Sequence, residues 1–151
     1  MSAGFRFSYE PDWRTAPAAF WVHVPVPGSD LLCDPPAPQS VPHKGYLFLH
    51  VEFEEFDLQF SAPAQLDHFI EVLLSKPLPT TRQLSARRGL HVGPNGHWLS
   101  RLPASLKAPR KRTKLVQSLL SVRSLVVNPG PNPSFNGTPN GTRLFEVEGG
   151  L

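Results

Sequence analysis

Apolar and polar residues alternate with a period of two in three stretches of the chain. Phe5, Phe7 and Tyr9 alternate with Arg6 and Ser8, and Phe20, Val22, Val24 and Val26 alternate with Trp21, His23 and Pro25. Such alternation marks a half-buried strand, because successive side chains of an extended chain point to opposite faces. Pro25 has no N–H to donate to a ladder, which makes the second of these strands an edge. The clearest alternation covers residues 46–60. Leu47, Leu49, Val51 and Phe53 share one phase, Phe56, Leu58 and Phe60 the other, and the phase slips at Glu54-Glu55. A two-residue hairpin there would pair Phe53 with Phe56, Val51 with Leu58 and Leu49 with Phe60 on one face. Glu-Glu is poor turn chemistry, and a bulge in one long strand would produce the same slip. The hairpin is the reading adopted.

The period then changes to 3.6. Leu66, Phe69, Ile70 and Leu73 form one stripe, with Asp67 and Glu71 opposite, and this predicts a helix over 62–75. Ser61 is the expected N-cap, Pro63 suits the first turn, and Pro77 ends the helix. A longer helix is predicted over 109–126, begun by Pro109, with Leu115, Val116, Leu119, Val122 and Val126 as its buried stripe. Between the two, Asn95 can cap a short helix through Trp98, Leu99 and Leu102 before Pro103.

Proline shows where regular structure cannot be. Of the 151 residues 18 are Pro, against an ordinary share of roughly 5%. They cluster at 25–42 and 129–139, which read as loops. Strands followed by helices give an α+β fold: a small antiparallel sheet of three or four strands, with two or three helices on one face. The expected division is a single domain over 1–127 and a disordered Pro/Gly/Asn-rich tail over 128–151.

Charge changes the picture. The formal net charge is +3, yet residues 1–75 carry −7 and residues 76–151 carry +10, with no Asp or Glu between Val72 and Phe145. Such asymmetry calls for an anionic partner, or for pairing of the two halves. The densest cations are Lys107, Arg110, Lys111, Arg112 and Lys114, joined by Lys76, Arg82, Arg87, Arg88, Arg101 and Arg123. Four of them fall in the first turn and a half of the long helix, where the partial positive charge of the helix end prefers carboxylates. Phosphate would resolve that conflict, since backbone N–H groups, dipole and side chains would act together. Trp98 and Arg101, three residues apart, would add a stacking surface for a base. The expected anion-binding set is therefore Arg87, Arg88, Trp98, Arg101, Lys107, Arg110, Lys111, Arg112 and Lys114. A solvated face, or a basic segment lying against the acidic strands, would have the same composition.

Other constellations carry less. Glu52, Glu54, Glu55 and Asp57, with His50 beside them, have the residue types of a divalent-cation site, but equally those of the polar face of a hairpin. His91 and His97 flank a glycine-rich loop without a third ligand. Cys33 is the only cysteine, so it can form no internal disulfide, and with His23 ten residues away it makes no evident dyad. Asn136-Gly-Thr and Asn140-Gly-Thr match a glycosylation pattern without an export signal. Trp13 and Trp21 read as packing residues.

No run of about 18 apolar residues and no basic-then-apolar leader are present. The expectation is a soluble, cytoplasmic, non-enzymatic binding or regulatory protein. Its basic C-terminal half would contact nucleic acid or another polyanion, without membrane, metal or small-molecule cofactor. The alternatives are an adaptor or inhibitor that meets an acidic protein surface through opposed charged faces, and a metal-dependent hydrolase.

Overall fold

The computed structural model describes residues 2–28, 32–80, 82–84, 98–139 and 141–146. The elements run β1 (Ser2–Glu10), α1 (Ala19–Val22), β2 (Val24–Pro25), β3 (Cys33–Asp34), β4 (Tyr46–Phe53), β5 (Phe56–Phe60), α2 (Pro63–Leu74), α3 (Ala104–Lys107), α4 (Pro109–Val126), β6 (Val127–Asn128), β7 (Ser134–Phe135) and β8 (Arg143–Glu146). Short 3-10 turns occupy Trp13–Thr15 and Trp98–Arg101. Four strands form one antiparallel sheet in the order β5-β4-β1-β8. The fold is α+β, as the order of periodicities predicts.

The hairpin at Glu54-Glu55 has the predicted register: Phe53 faces Phe56, Val51 faces Leu58 and Leu49 faces Phe60. Glu54 takes the left-handed conformation there, with φ +56°, which Gly or Asn would adopt at lower cost. Its carboxylate also accepts a hydrogen bond from Lys111 on α4, so the turn residue is retained by a contact between elements.

One face of the sheet is the core. Phe5, Phe7, Leu49, Val51, Phe53 and Phe60 join Leu66, Phe69, Ile70 and Leu73 of α2 and the whole predicted stripe of α4 in one buried cluster. Edge-to-face contact between Phe60 and Phe69, centroids 5.3 Å apart, ties α2 to β5. At the start of α2 the N-cap is Ala62, with no side-chain cap bond. Ser61, expected there, turns inward instead. Its hydroxyl donates to the Trp13 carbonyl at 2.9 Å, and its backbone N–H donates to the Gln65 side chain at 2.9 Å.

Two segments depart from the sequence pattern. The expected strand over 20–26 is helical through Ala19–Val22, followed by two residues of strand that pair with Cys33–Asp34. Ala18 and Ala19, adjacent in sequence, are both buried. Ala18 joins the main core with the residues of α2, while Ala19 packs with Trp13, Ala16 and Phe48 in a second buried cluster, and the helical turn itself lies against α2. The second departure is in the Pro/Gly/Asn-rich segment. Part of it takes up strand structure, β6 pairing with β7 and β8 with β1. Gly137 lies so close to the Phe7 ring that a Cβ there would sit 2.1 Å from it.

Candidate functional site

The buried stripe of α4 fixes how that helix lies. Leu115 is its first buried residue, so residues 109–114 run past the apolar contact with the sheet. Arg110 is exposed there, and Lys111, Arg112 and Lys114 are half-buried. Lys107 ends α3, and Arg101, exposed, ends the 3-10 turn before it. Residues 98–114 include six cations and no carboxylate. Ala108, the N-cap of α4, makes no side-chain cap bond, and Pro109 occupies the first turn.

The cations divide into two groups. Lys111 is paired with Glu54 at the hairpin tip. Arg123, at the other end of α4, is paired with Asp67 on α2, Nε to Oδ1 2.5 Å. The hydrogen bond to Asp67, and then its charge, raise the Arg123 pKa above its ordinary value. Arg123 therefore bridges α2 and α4 and does not belong to a ligand surface. Arg101, Lys107, Arg110, Arg112 and Lys114 make no ion pair with a carboxylate among the described residues. Arg87 and Arg88, like His91, Asn95 and His97, lie outside the described residues.

Trp98 does not present a stacking surface. It is 4% exposed, and its ring stacks on Phe69 with centroids 3.8 Å apart and 12° between planes. Its indole N–H donates to His68 Nε2 at 3.0 Å. A large apolar ring beside an exposed edge of the core lowers free energy more by burial than by waiting for a base. Behind it, a cleft of about 290 Å³ runs along the outer edge of β5, with Thr15, Asp57, Gln59 and Arg101 supplying its polar wall.

The acidic segment is committed to cations. Glu52 and Asp57 flank Arg6, at 3.4 and 3.6 Å, and Glu54 sits in the turn against Lys111. Among the described residues no group of three or more His, Cys, Asp or Glu side chains could hold a metal ion.

The outer face of the sheet holds a constellation that composition did not disclose. The register sets Arg6 opposite His50, His50 opposite Gln59, and Asp57 opposite Glu52. Ser8, His50 and Asp57 thus come from three neighbouring strands and meet on a diagonal. Ser8 Oγ lies 2.6 Å from His50 Nε2, and His50 Nδ1 lies 3.1 Å from Asp57 Oδ2. Ser8 Oγ is also 3.0 Å from Glu10 Oε2, while Gln59 Nε2 donates to Asp57 at 3.4 Å. His50 is buried, whereas Ser8 is only half-buried. Period-two alternation already put each of the three on a polar face. The pairing of β1 with β4, which joins them, has no local signal.

A second histidine is wholly internal. His23 Nδ1 contacts the Pro35 carbonyl at 3.0 Å, and its Nε2 meets Gln65 Nε2 at 3.0 Å. Gln65 in turn donates to the Ser61 hydroxyl at 2.7 Å. This chain ties Pro35 and, through Ser61, the Trp13 carbonyl to the start of α2. Burial lowers the His23 pKa, against a smaller upward pull from the carbonyls of Pro35 and Pro36.

No protein-family model, curated protein or solved structure matches this chain.

Proposed function

We propose that this is a small cytoplasmic binding or regulatory protein that contacts nucleic acid through the surface around α3 and the start of α4. The observation that supports the reading is the division of the cations. Arg123 and Lys111 have internal carboxylate partners, while Arg101, Lys107, Arg110, Arg112 and Lys114 have none among the described residues. Like charges grouped without counter-charges repel one another, and a polyanion relieves that repulsion while releasing its own condensed counterions. The uncapped amides of α4 favour the same kind of ligand. Without Trp98 as a platform, recognition runs through phosphates and not through stacked bases, so little sequence preference is expected. No helix among the described residues is long and apolar enough to cross a membrane, and no lipid surface is invoked.

The test is fluorescence anisotropy with labelled duplex DNA and single-stranded RNA across a salt titration. Binding should weaken with salt at a log–log slope of roughly −0.9 per duplex phosphate contacted. Replacing Lys107, Arg110, Arg112 and Lys114 by Gln, with Lys111 left in place to hold Glu54, should abolish binding at unchanged melting temperature. Absence of binding to either nucleic acid at about 50 mM salt would refute the proposal. Saturable one-to-one binding to an acidic protein, with weak salt dependence, would replace it with the adaptor reading.

A further inference from the structure

We infer that Ser8, His50 and Asp57 form a nucleophilic relay on the outer face of the sheet, able to transfer the acyl group of a carboxylic ester to Ser8. Acyl transfer by a serine needs a hydroxyl within reach of a base, and a third group that orients the base. Both relations are present. The hydroxyl lies 2.6 Å from Nε2, and the far ring nitrogen lies 3.1 Å from a carboxylate. When Nδ1–H is donated to Asp57, Nε2 turns its lone pair toward Ser8 Oγ, the tautomer a general base requires, and the hydroxyl proton, which Glu10 Oε2 accepts at 3.0 Å, has to rotate to it. Asp57 is held in turn by Gln59 at 3.4 Å and by Arg6 at 3.6 Å.

The positions suit the roles. The three residues stand on β1, β4 and β5, which are hydrogen-bonded neighbours, so their spacing is set by strand pairing and not by loops. His50 is 5% exposed and Ser8 is half-buried. The base is shielded from bulk water while the nucleophile can be reached.

The reaction balances with water as the second substrate. Ser8 Oγ bonds to the ester carbonyl carbon as its proton passes to His50 Nε2. Collapse of the tetrahedral adduct breaks the bond to the alkoxy group, which leaves as the alcohol with that proton. Water then attacks the acyl-Ser8 ester by the same route, giving the acid and free Ser8. Glu10 bears on the rate. Its carboxylate, 3.0 Å from Ser8 Oγ, competes with His50 for the single hydroxyl proton. A Gln at position 10 can donate to Oγ instead, which leaves the proton to His50.

The experiment uses the full chain and two probes, an alkyl fluorophosphonate and p-nitrophenyl acetate. In the first, Ser8 Oγ displaces fluoride from phosphorus and His50 takes the proton. Mass spectrometry should find one phosphonyl group per chain, on the peptide carrying Ser8, and none in Ser8→Ala. Asp57→Asn should slow labelling by roughly 10²-fold or more, and Asp57→Glu should recover part of that loss at an equal melting temperature. Glu10→Gln should label faster than the parent, which loss of a purely structural hydrogen bond would not produce. The acetate probe should release nitrophenol in a burst of one equivalent. An unlabelled parent at saturating reagent would overturn the inference. Labelling that persists in Ser8→Ala, or proceeds at the parent rate in Asp57→Asn, would overturn it equally. None of these outcomes depends on nucleic-acid binding.

Discussion

Two residues show how much a single side chain decides here. Phe69 lies between the Phe60 ring and the face of Trp98, at 4% exposure. Phe69→Ala removes both contacts and leaves a cavity between sheet and helix. It should cost about 3–5 kcal/mol, read as a shift in the urea midpoint. His23 works through protonation. Its fold-state pKa lies below the ordinary 6.5 because burial penalises the imidazolium, and the Gln65 amide donates to the nitrogen that would take the proton. The unfolded chain therefore binds more protons than the fold. The contribution of His23 is fully present above pH 6.5 and is lost as pH falls below it toward the lowered value. Melting temperature should fall on acidification from about pH 8 to pH 5. His23→Gln, which can still donate to Pro35 and accept from Gln65, should flatten that dependence.

At the scale of elements, α4 carries opposite demands at its two ends. Its last turns meet Asp67 through Arg123, while its first turn has cations and no cap. Ala108 has φ −63° and ψ 141°, backbone geometry suited to an N-cap acceptor. Ala108→Asp should therefore stabilise the protein by about 1 kcal/mol, through the new cap bond and the helix dipole. The same carboxylate would occupy the amides that a phosphate would use. The variant should melt higher and bind duplex DNA more weakly. Higher melting with unchanged binding would place the ligand away from this helix end. Both long helices and the hairpin were legible in the sequence because their signals are local: a 3.6-residue stripe, a phase slip, a proline in the first turn. α1 was not. Its alternation of Phe20, Val22 and Val24 is a true period-two pattern, overridden by the burial of Ala18 in the main core and of Ala19 against Trp13 and Phe48.

For the whole molecule, the C-terminal segment is the informative part. β8 pairs with residues 2–5 of β1, and Phe135 and Gly137 lie on the Phe7 ring. A chain ending at residue 128 would leave that side of β1 unpaired and Phe7 uncovered. It should melt lower than the full chain and associate through the open edge, measured by calorimetry and light scattering. Composition identified this segment as rich in turn formers, but not that β1 would recruit its end. By itself the sequence determined the α+β class, the β4–β5 register, the stripes of α2 and α4 and the bipolar charge. Each follows from residues a few positions apart, where periodicity and charge counting suffice. Only the tertiary structure decided how Lys111 and Arg123 are neutralised, that Trp98 belongs to the core, and that Ser8 of β1 meets His50. These depend on contacts between residues 29 to 57 positions apart. Contacts at that separation are selected by the free energy of packing the whole chain, and no local pattern encodes them.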